Sequence, residues 1–312
     1  MRHLNFVDMT TTERDGSGHT KRVDMPYGAL PSSFDLFVMN DAHVGNAALM
    51  ESGPKDFVRR VKRKKNSYVV CQGDNIEAIS VTDPRFDLDV HRNRGPRFDA
   101  QRDAFIDMFD AIGEKFLWIL DGNHETKLRN IVQPNRDISK KFNAVYAEGV
   151  IAKALFPGFR MLSWHGWGQV NSRAGDEKQR RTNDQISLKR KLRLLPGADC
   201  DVIACGHFHK LILHSPDPKL LLVSDASKNE LAQHYTVPSR IWIDEKKGLY
   251  RVPEEERHYM CCGSFLKAYD ENTPSYAEAW GLEATELGYG HIVVKNDKLE
   301  KVETVALSSW GR

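Results

Sequence analysis

The stretch FDLFVMNDAH, residues 34–43, carries the pattern from which the fold class can be predicted. A mainly apolar run of strand length is followed at once by a carboxylate and an imidazole, Asp41 and His43. The same order recurs in YVVCQGDNIE, residues 68–77, where an apolar run precedes Asp74. Carboxylate and imidazole side chains that directly follow buried strands are typical of α/β proteins, whose ligand-binding sites lie beyond the carboxyl ends of the strands.

Apolar runs of this kind predict five buried strands in the chain. They are Phe34–Met39, Tyr68–Cys71, Phe116–Leu120, Met161–Trp164 and Val202–Cys205. Apolar residues at helical spacing lie between them, and this alternation predicts an α/β architecture with a largely parallel first sheet. After His209, strand-like runs without long helices predict a second, more antiparallel sheet packed on the first. These runs are Leu211–Leu213, Leu220–Val223, Ile241–Ile243, Tyr259–Cys262 and His291–Val294.

Composition excludes several classes of protein. The chain has 312 residues, of which 40% are hydrophobic and 28% charged, as in an ordinary globular protein rather than a disordered, collagen-like or coiled-coil one. No run approaches the about 20 apolar residues of a membrane span, and the first thirty residues lack a signal-peptide pattern. We therefore expect a cytoplasmic protein without membrane contact. The five cysteines form no CxxC pair and are predicted to be buried free thiols.

Polar residues of metal-binding type follow all five predicted strands, and in an open α/β sheet they would meet at one edge. They are Asp41, His43, Asp74, Glu77, Asn123, His124, Glu125, His165, His207 and His209. Each short motif alone is weak evidence for a site, but coincidence does not readily explain all five motifs in order at strand ends. The glycines before Asp74, Asn123 and His207 fit tight turns that expose the next side chain.

Mixed carboxylate, imidazole and amide groups suit a borderline first-row metal. Because no cysteine belongs to the set, a closed structural zinc site is disfavoured. Seven candidate ligands are too many for one catalytic metal, and they suit two metals about 3.5–4 Å apart that share a carboxylate. Such a pair stabilises the attacking and leaving oxygens of a displacement at phosphorus.

The ordered motifs DAH, GDNIE, GNHE, His165 and GHFH resemble those of the calcineurin-like metallophosphoesterase superfamily, including its nuclease-like and phage-type members. The resemblance runs from about Phe34 to Lys210 and extends more faintly to Gly263–Ser264. It implies a four-layer αββα sandwich of two mixed β-sheets flanked by helices. We expect one domain over residues 1–312, with a motif core at 34–210 and the second sheet at 211–312. Residues 225–257 are expected to form either a lid insertion or a solvated loop.

The resemblance also implies a role for each matched residue. The first metal would be held by Asp41, His43, Asp74 and His209. The second would be held by Asp74, Asn123, His165 and His207, with Asp74 as the bridge. His124, with Asn123, would contact substrate and protonate the leaving oxygen after attack by a metal-activated hydroxide. Glu77 would orient His124, and Glu125 is the alternative for that role.

The implied reaction is hydrolysis of a phosphate ester with two divalent ions, manganese first and iron, zinc or nickel as alternatives. Ser/Thr protein phosphatases of the superfamily continue the second motif with Asp-Arg-Gly, whereas Ala78 follows Glu77 here. We therefore favour a phosphodiesterase acting on nucleic acid or nucleotides. The alternatives are a small-molecule phosphomonoesterase, a dinucleoside polyphosphate pyrophosphohydrolase and, more remotely, a non-catalytic scaffold.

Basic stretches at residues 55–65 and 173–193 are candidates for contact with DNA or RNA, with a solvated helix face as the alternative. A looser basic group comprises Arg85, Arg92, Arg94, Arg97 and Arg102. Trp164, Trp167 and Phe208 are candidates for stacking on bases, with packing in the core as the alternative. The net charge of +2 gives only weak support to a nucleic-acid partner, and the sequence leaves the oligomeric state open.

Overall fold

A computed structural model of the protein describes residues 21–24, 30–81, 83, 86, 97–156, 158–225, 227–235, 239–269, 281 and 283–307. The helices are α1 (Ser52–Arg63), α2 (Phe98–Phe109), α3 (Asn123–Leu128), α4 (Pro134–Phe142) and α5 (Glu177–Leu192). Short 3₁₀ helices cover Asp110–Lys115 and Glu254–Glu256. The strands up to the motif GHFH are β1 (Lys21–Asp24), β2 (Phe34–Met39), β3 (Ser67–Cys71), β4 (Phe116–Ile119), β5 (Val145–Tyr146), β6 (Ile151–Phe156), β7 (Phe159–Trp164) and β8 (Val202–Cys205). The later strands are β9 (Leu211–His214), β10 (Leu220–Asp225), β11 (Glu230–Tyr235), β12 (Ile241–Asp244), β13 (Leu249–Arg251), β14 (His258–Cys262), β15 (Gly288–Lys295) and β16 (Lys298–Ala306).

The first sheet has the strand order β16-β15-β2-β3-β4-β5. Its strands β2 to β5 are parallel, as the alternation of strands and helices predicts. The antiparallel pair β15–β16 extends this sheet beside β2. The prediction that His291–Val294 joins the second sheet is therefore wrong, because its strand pairs with the first.

The second sheet has the order β1-β6-β7-β8-β14-β9. It contains β7 and β8, which the sequence pattern assigned to the first sheet, and it mixes parallel with antiparallel pairs. The boundary drawn at residue 210 is thus incorrect for this sheet, since its strands come from both sides of that residue. An apolar run shows that a strand is buried, but it does not show which strand is its neighbour.

Three buried clusters give the order of the layers. The first lies between the two sheets and includes Phe34 and Val38 of β2 with Met161 of β7 and Met260 of β14. The second joins α1 and α2 to the outer face of the first sheet, through Phe57, Phe105 and their neighbours. The third joins Leu188 and Leu192 of α5 to Ile203 and Tyr259 on the outer face of the second sheet. The layers therefore follow the predicted order helix, sheet, sheet, helix.

Leu220–Val223 and Ile241–Ile243 form strands as predicted, but they lie in two separate hairpins, β10–β11 and β12–β13, and not in the second sheet. These hairpins occupy much of residues 225–257, the segment expected to form a lid insertion or a solvated loop. The first hairpin exposes large apolar side chains, with Leu222 62% exposed. In the second, Arg240 Nη2 donates a hydrogen bond to the Gly158 carbonyl oxygen at 2.6 Å. Gly158 precedes β7, whereas the candidate ligand His165 follows it. The second hairpin therefore lies at the edge opposite to the candidate site, and a lid role for it is not supported.

All five cysteines are buried free thiols, as predicted. Among the described residues, none of the helices combines the length and the apolar character that crossing a bilayer would require. Of the loose group of arginines, Arg85, Arg92 and Arg94 lie outside the described residues.

Candidate metal centre

Loops from both sheets meet at one edge of the sandwich. Those after β2, β3 and β4 come from the first sheet, and those after β7 and β8 come from the second. The backbone N–H of Asp41 donates to the Gly73 carbonyl oxygen at 3.0 Å, and the N–H of His207 donates to Asp41 Oδ2 at 2.7 Å. The site thus lies where two sheets meet rather than at the edge of one.

Asp41, His43 and His209 form one group of side chains that could hold a metal ion. His209 Nε2 lies 3.5 Å from Asp41 Oδ1 and 3.3 Å from His43 Nε2. Asp41 is completely buried, and its Oδ1 has no hydrogen-bond partner among the described residues. Because a buried carboxylate oxygen without a partner is costly, this atom is a natural ligand for a cation.

Asp74, His165 and His207 form a second such group beside the first. His165 Nε2 lies 3.3 Å from Asp74 Oδ2 and 2.9 Å from the amide oxygen of Asn123. Asp74 Oδ2 is also 3.9 Å from His43 Nε2, which belongs to the first group. The structure therefore brings together all seven residues predicted as ligands and places Asp74 between the two groups.

The charges of this cluster shift its pKa values in opposite directions. Burial opposes ionisation of Asp74, but the charges of His165 and His124 outweigh it and hold the pKa of Asp74 well below its usual range. Burial alone would lower the pKa of His165, yet the negative charge of Asp74 raises it to about 9. For His207, burial and the charge of His165 together lower the pKa to about 4. His207 is thus held in the neutral form that binds metals.

Hydrogen bonds on the outer nitrogens orient the imidazole rings. His43 Nδ1 donates to Glu77 Oε2 and His165 Nδ1 donates to the Gln72 carbonyl oxygen, each at 2.9 Å. His124 Nδ1 bonds to the carbonyl oxygen of Glu77. These contacts leave each Nε2 directed toward the centre, as in metal-binding histidines.

The two candidate orienting carboxylates therefore act elsewhere. The Glu77 carboxylate binds His43, and it is the backbone of Glu77 that holds His124. Glu125 Oε2 accepts from the backbone N–H groups of Gly122 and Asp74 at 2.8 and 3.1 Å, and its Oε1 accepts from that of Asn75 at 2.7 Å. Glu125 ties the loop after β3 to the loop after β4.

Five of the predicted ligands adopt left-handed backbone conformations. Their φ angles are 48° at Asp41, 47° at His43, 49° at Asp74, 69° at His207 and 50° at His209. Of the glycines expected at tight turns before the ligands, Gly73 also has a positive φ, of 96°. Gly122 has an extended φ of −98°, and its role is space, because a Cβ there would lie 2.0 Å from Asp74 Oδ1.

Three supporting residues were missing from the predicted set. Asn40 Nδ2 donates to Asp41 Oδ2, and Ser264 Oγ donates to the Asp41 carbonyl oxygen at 2.9 Å. Gln72 supplies the carbonyl that orients His165. Asn40 and Gln72 directly follow strands, so the rule that found the ligands could also have found them, and Ser264 lies in the faint motif Gly263–Ser264.

The donor set fits divalent metal ions. Two buried carboxylates, an amide oxygen and inward-facing imidazoles converge, and oriented outer nitrogens accompany them. This mixture of oxygen and nitrogen ligands is typical of first-row metals. The structure therefore supports binding of divalent metal by this cluster of side chains.

Replacing Glu77 with glutamine is expected to weaken metal binding about 10- to 100-fold, since loss of the charged partner of a ligand histidine costs this much. Mn²⁺ titration calorimetry of Glu77→Gln measures the effect. Glu114→Gln, which removes an exposed carboxylate, is the matched control. Equal affinity for Mn²⁺ in Glu77→Gln and the unaltered protein would contradict a role for Glu77 in orienting His43.

The basic stretches differ in where they lie. Lys64 pairs with Asp35 at the start of β2 at 3.1 Å, so this end of residues 55–65 is at the edge opposite to the ligands. In the other stretch, Lys191 Nζ lies 5.8 Å from the centre of the Phe208 ring, beside the ligand His207. The second stretch therefore brings a cation close to the candidate metal centre.

No protein-family model and no curated protein matches the sequence. Solved structures with a similar fold include Vps29 of Chaetomium thermophilum, at 12% identity over 84% of this chain and 82% of that chain, with a TM-score of 0.35. A predicted phosphoesterase of Streptococcus pneumoniae matches at 11% identity over 85% of both chains, with a TM-score of 0.30. A metallophosphoesterase of Sphaerobacter thermophilus matches at 10% identity over 86% of this chain and 90% of that chain, with a TM-score of 0.33. All three TM-scores lie below 0.5, and the functional inference therefore rests on the geometry of the site itself.

Proposed function

We propose that this chain is a dinuclear metal-dependent phosphodiesterase of the calcineurin-like superfamily, acting on nucleic acid or nucleotides. The observation that carries the proposal is the position of the Asp74 carboxylate between two groups of metal-binding side chains. One carboxylate shared by two ion sites would hold two metals close together, as two-metal hydrolysis of phosphate esters needs. The ordered sequence motifs support the same family.

In this proposal Asp41, His43 and His209 would hold one ion, and Asn123, His165 and His207 would hold the other, with Asp74 shared. Two divalent ions would supply neutralisation of the phosphate oxygens and a water of lowered pKa. The protein itself orients the rings, through Glu77 and Gln72, and buries the carboxylates so that their charge acts in a low dielectric.

His124 is the candidate acid for the leaving oxygen. Its Nδ1 is committed to the Glu77 carbonyl, so Nε2 is the ring atom that can give a proton toward the site. His124 Nε2 lies 3.9 Å from Asp74 Oδ2, within the cluster. A proton held at this position would be delivered to the oxygen that departs from phosphorus.

The preference for a diester rests on the residues beside the metal cluster. Ala78 stands near the position where protein phosphatases of the superfamily carry an arginine, and it is buried. A phosphodiester bears less charge than a monoester and needs fewer cationic groups. DNA, RNA and nucleotides are therefore the proposed substrates.

The test compares hydrolysis of an aryl phosphodiester with hydrolysis of the matching monoester by Mn²⁺-loaded protein. We expect a higher kcat/KM for the diester and loss of both activities after chelation. A preference for the monoester would contradict the proposal and favour a small-molecule phosphatase. No metal-dependent turnover of the aryl esters or of a dinucleoside polyphosphate would favour a non-catalytic scaffold.

A further inference from the structure

We infer that Trp167 is a stacking platform for a nucleobase and that it forms, with the groove beside it, the base-binding subsite of the metal centre. This inference rests on the proposed function and names the part of the substrate that the metal cluster does not recognise. The observation behind it is an indole that is 70% exposed although it lies two residues after the candidate ligand His165. A large aromatic side chain exposed beside a candidate site is more informative than one on an ordinary surface.

The backbone fixes the position of Trp167 relative to the metal cluster. Its neighbours Gly166 and Gly168 have φ angles of +114° and +76°, a conformation that glycine adopts readily. A Cβ on Gly166 would lie only 2.6 Å from the Cβ of His207, so the two loops are in close contact. The indole and the His207 ring are parallel to within 5°, with their centres 6.5 Å apart. Trp167 is therefore held at a defined distance from a metal-binding residue.

A groove of about 220 Å³ begins at the same histidine. Its lining residues come from three loops and include Gln169, Asn171, His207, Phe208 and His209. Asn171 Nδ2 donates to Gln169 Oε1 at 3.1 Å, which leaves further amide donors and acceptors exposed. Carboxamides are the side chains that pair with the edges of bases.

The chemistry of these groups matches a nucleoside phosphate. An aromatic face stacks on any base, the amides can hydrogen-bond to its edge, and the metal cluster would receive the phosphate. Lys191 Nζ lies 5.8 Å from the centre of the ring of Phe208, which lines the groove, and adds a cation near it. A phosphorylated protein side chain would use the metal cluster but would leave an aromatic platform without a partner.

The experiment measures binding of adenosine 5′-monophosphate and of inorganic phosphate to Mn²⁺-loaded protein by calorimetry. We expect Trp167→Ala to weaken binding of the nucleotide about 5- to 150-fold, the range for loss of an aromatic side chain that stacks on one base, and to leave phosphate binding unchanged. Trp167→Phe should retain most of the nucleotide affinity. Trp242→Ala is the matched control, because Trp242 is a half-exposed tryptophan on the hairpin β12–β13, away from the site. This variant should bind both ligands normally.

Three results would overturn the inference. They are nucleotide binding no tighter than phosphate binding in the unaltered protein, unchanged nucleotide binding in Trp167→Ala, and equal loss of both ligands in that variant. The diester assay separates this inference from the proposed function. If the protein hydrolyses the diester but Trp167→Ala binds the nucleotide normally, the stacking role of Trp167 alone is refuted. If nucleotide binding depends on Trp167 but no diester is hydrolysed, the proposed reaction is refuted and the stacking role is supported.

Discussion

Asp74→Asn is expected to reduce metal-dependent turnover by about 10³-fold or more and to lower the metal content of the purified protein. Removal of a group that merely orients a ligand costs about 10- to 100-fold, and Asp74 is a ligand of both groups in this proposal. Asparagine has the same shape as aspartate. Its amide oxygen can still accept the hydrogen bond that Asp74 Oδ1 receives from the backbone N–H of His124 at 2.9 Å. The variant thus removes the charge while the loop geometry can persist.

Metal content by mass spectrometry and kcat/KM for an aryl phosphodiester measure the two effects together. Asp107→Asn, which removes an exposed carboxylate on α2, is the matched control and should retain both metal and activity. Full metal content and full activity in Asp74→Asn would show that Asp74 does not lie between two ions.

His124→Ala is expected to lower the hydrolysis of a diester with an alkyl leaving group by about 10² to 10⁴-fold, the usual contribution of a general acid. A p-nitrophenolate leaves without needing a proton, so its release should fall much less. The comparison of the two leaving groups separates proton donation from a structural role, since damage to the site would slow both reactions alike.

The metal content of His124→Ala tests whether His124 is a metal ligand rather than the acid. His124 also lies with His43 and Asp74 in a group that could hold an ion. Normal metal content in His124→Ala, with the selective loss described, supports the acid role, and His234→Ala on the exposed face of β11 is the control. Loss of metal in His124→Ala, or equal loss with both leaving groups, would contradict the assignment.

The positions of the ligands were predictable because they follow a simple rule. A strand brings its last residues to the sheet edge, so Asp41, Asp74 and Asn123 of the first sheet could be placed together from the apolar runs that precede them. Residues that are distant in the chain thereby meet, as Asp41 and His207 do through a 2.7 Å hydrogen bond.

The partners of strands and side chains were not predictable in the same way. The runs at β7 and β15 are apolar whichever sheet they join, so their assignment to sheets was wrong. Glu77 was expected to orient His124 with its carboxylate, but the choice among nearby histidines depends on angles that spacing does not encode. The carboxylate binds His43 and the carbonyl oxygen binds His124.

The left-handed backbone at five candidate ligands has an evolutionary consequence. Each non-glycine residue in this conformation costs about 1 kcal/mol or more, and a metal ion that binds only the folded chain can offset the total. Where selection for catalysis is relaxed, replacement of such a ligand by glycine would relieve local strain and tend to stabilise the metal-free fold. The same backbone that presents the ligands would thus favour their loss from this chain once catalysis no longer mattered, while the fold itself persisted.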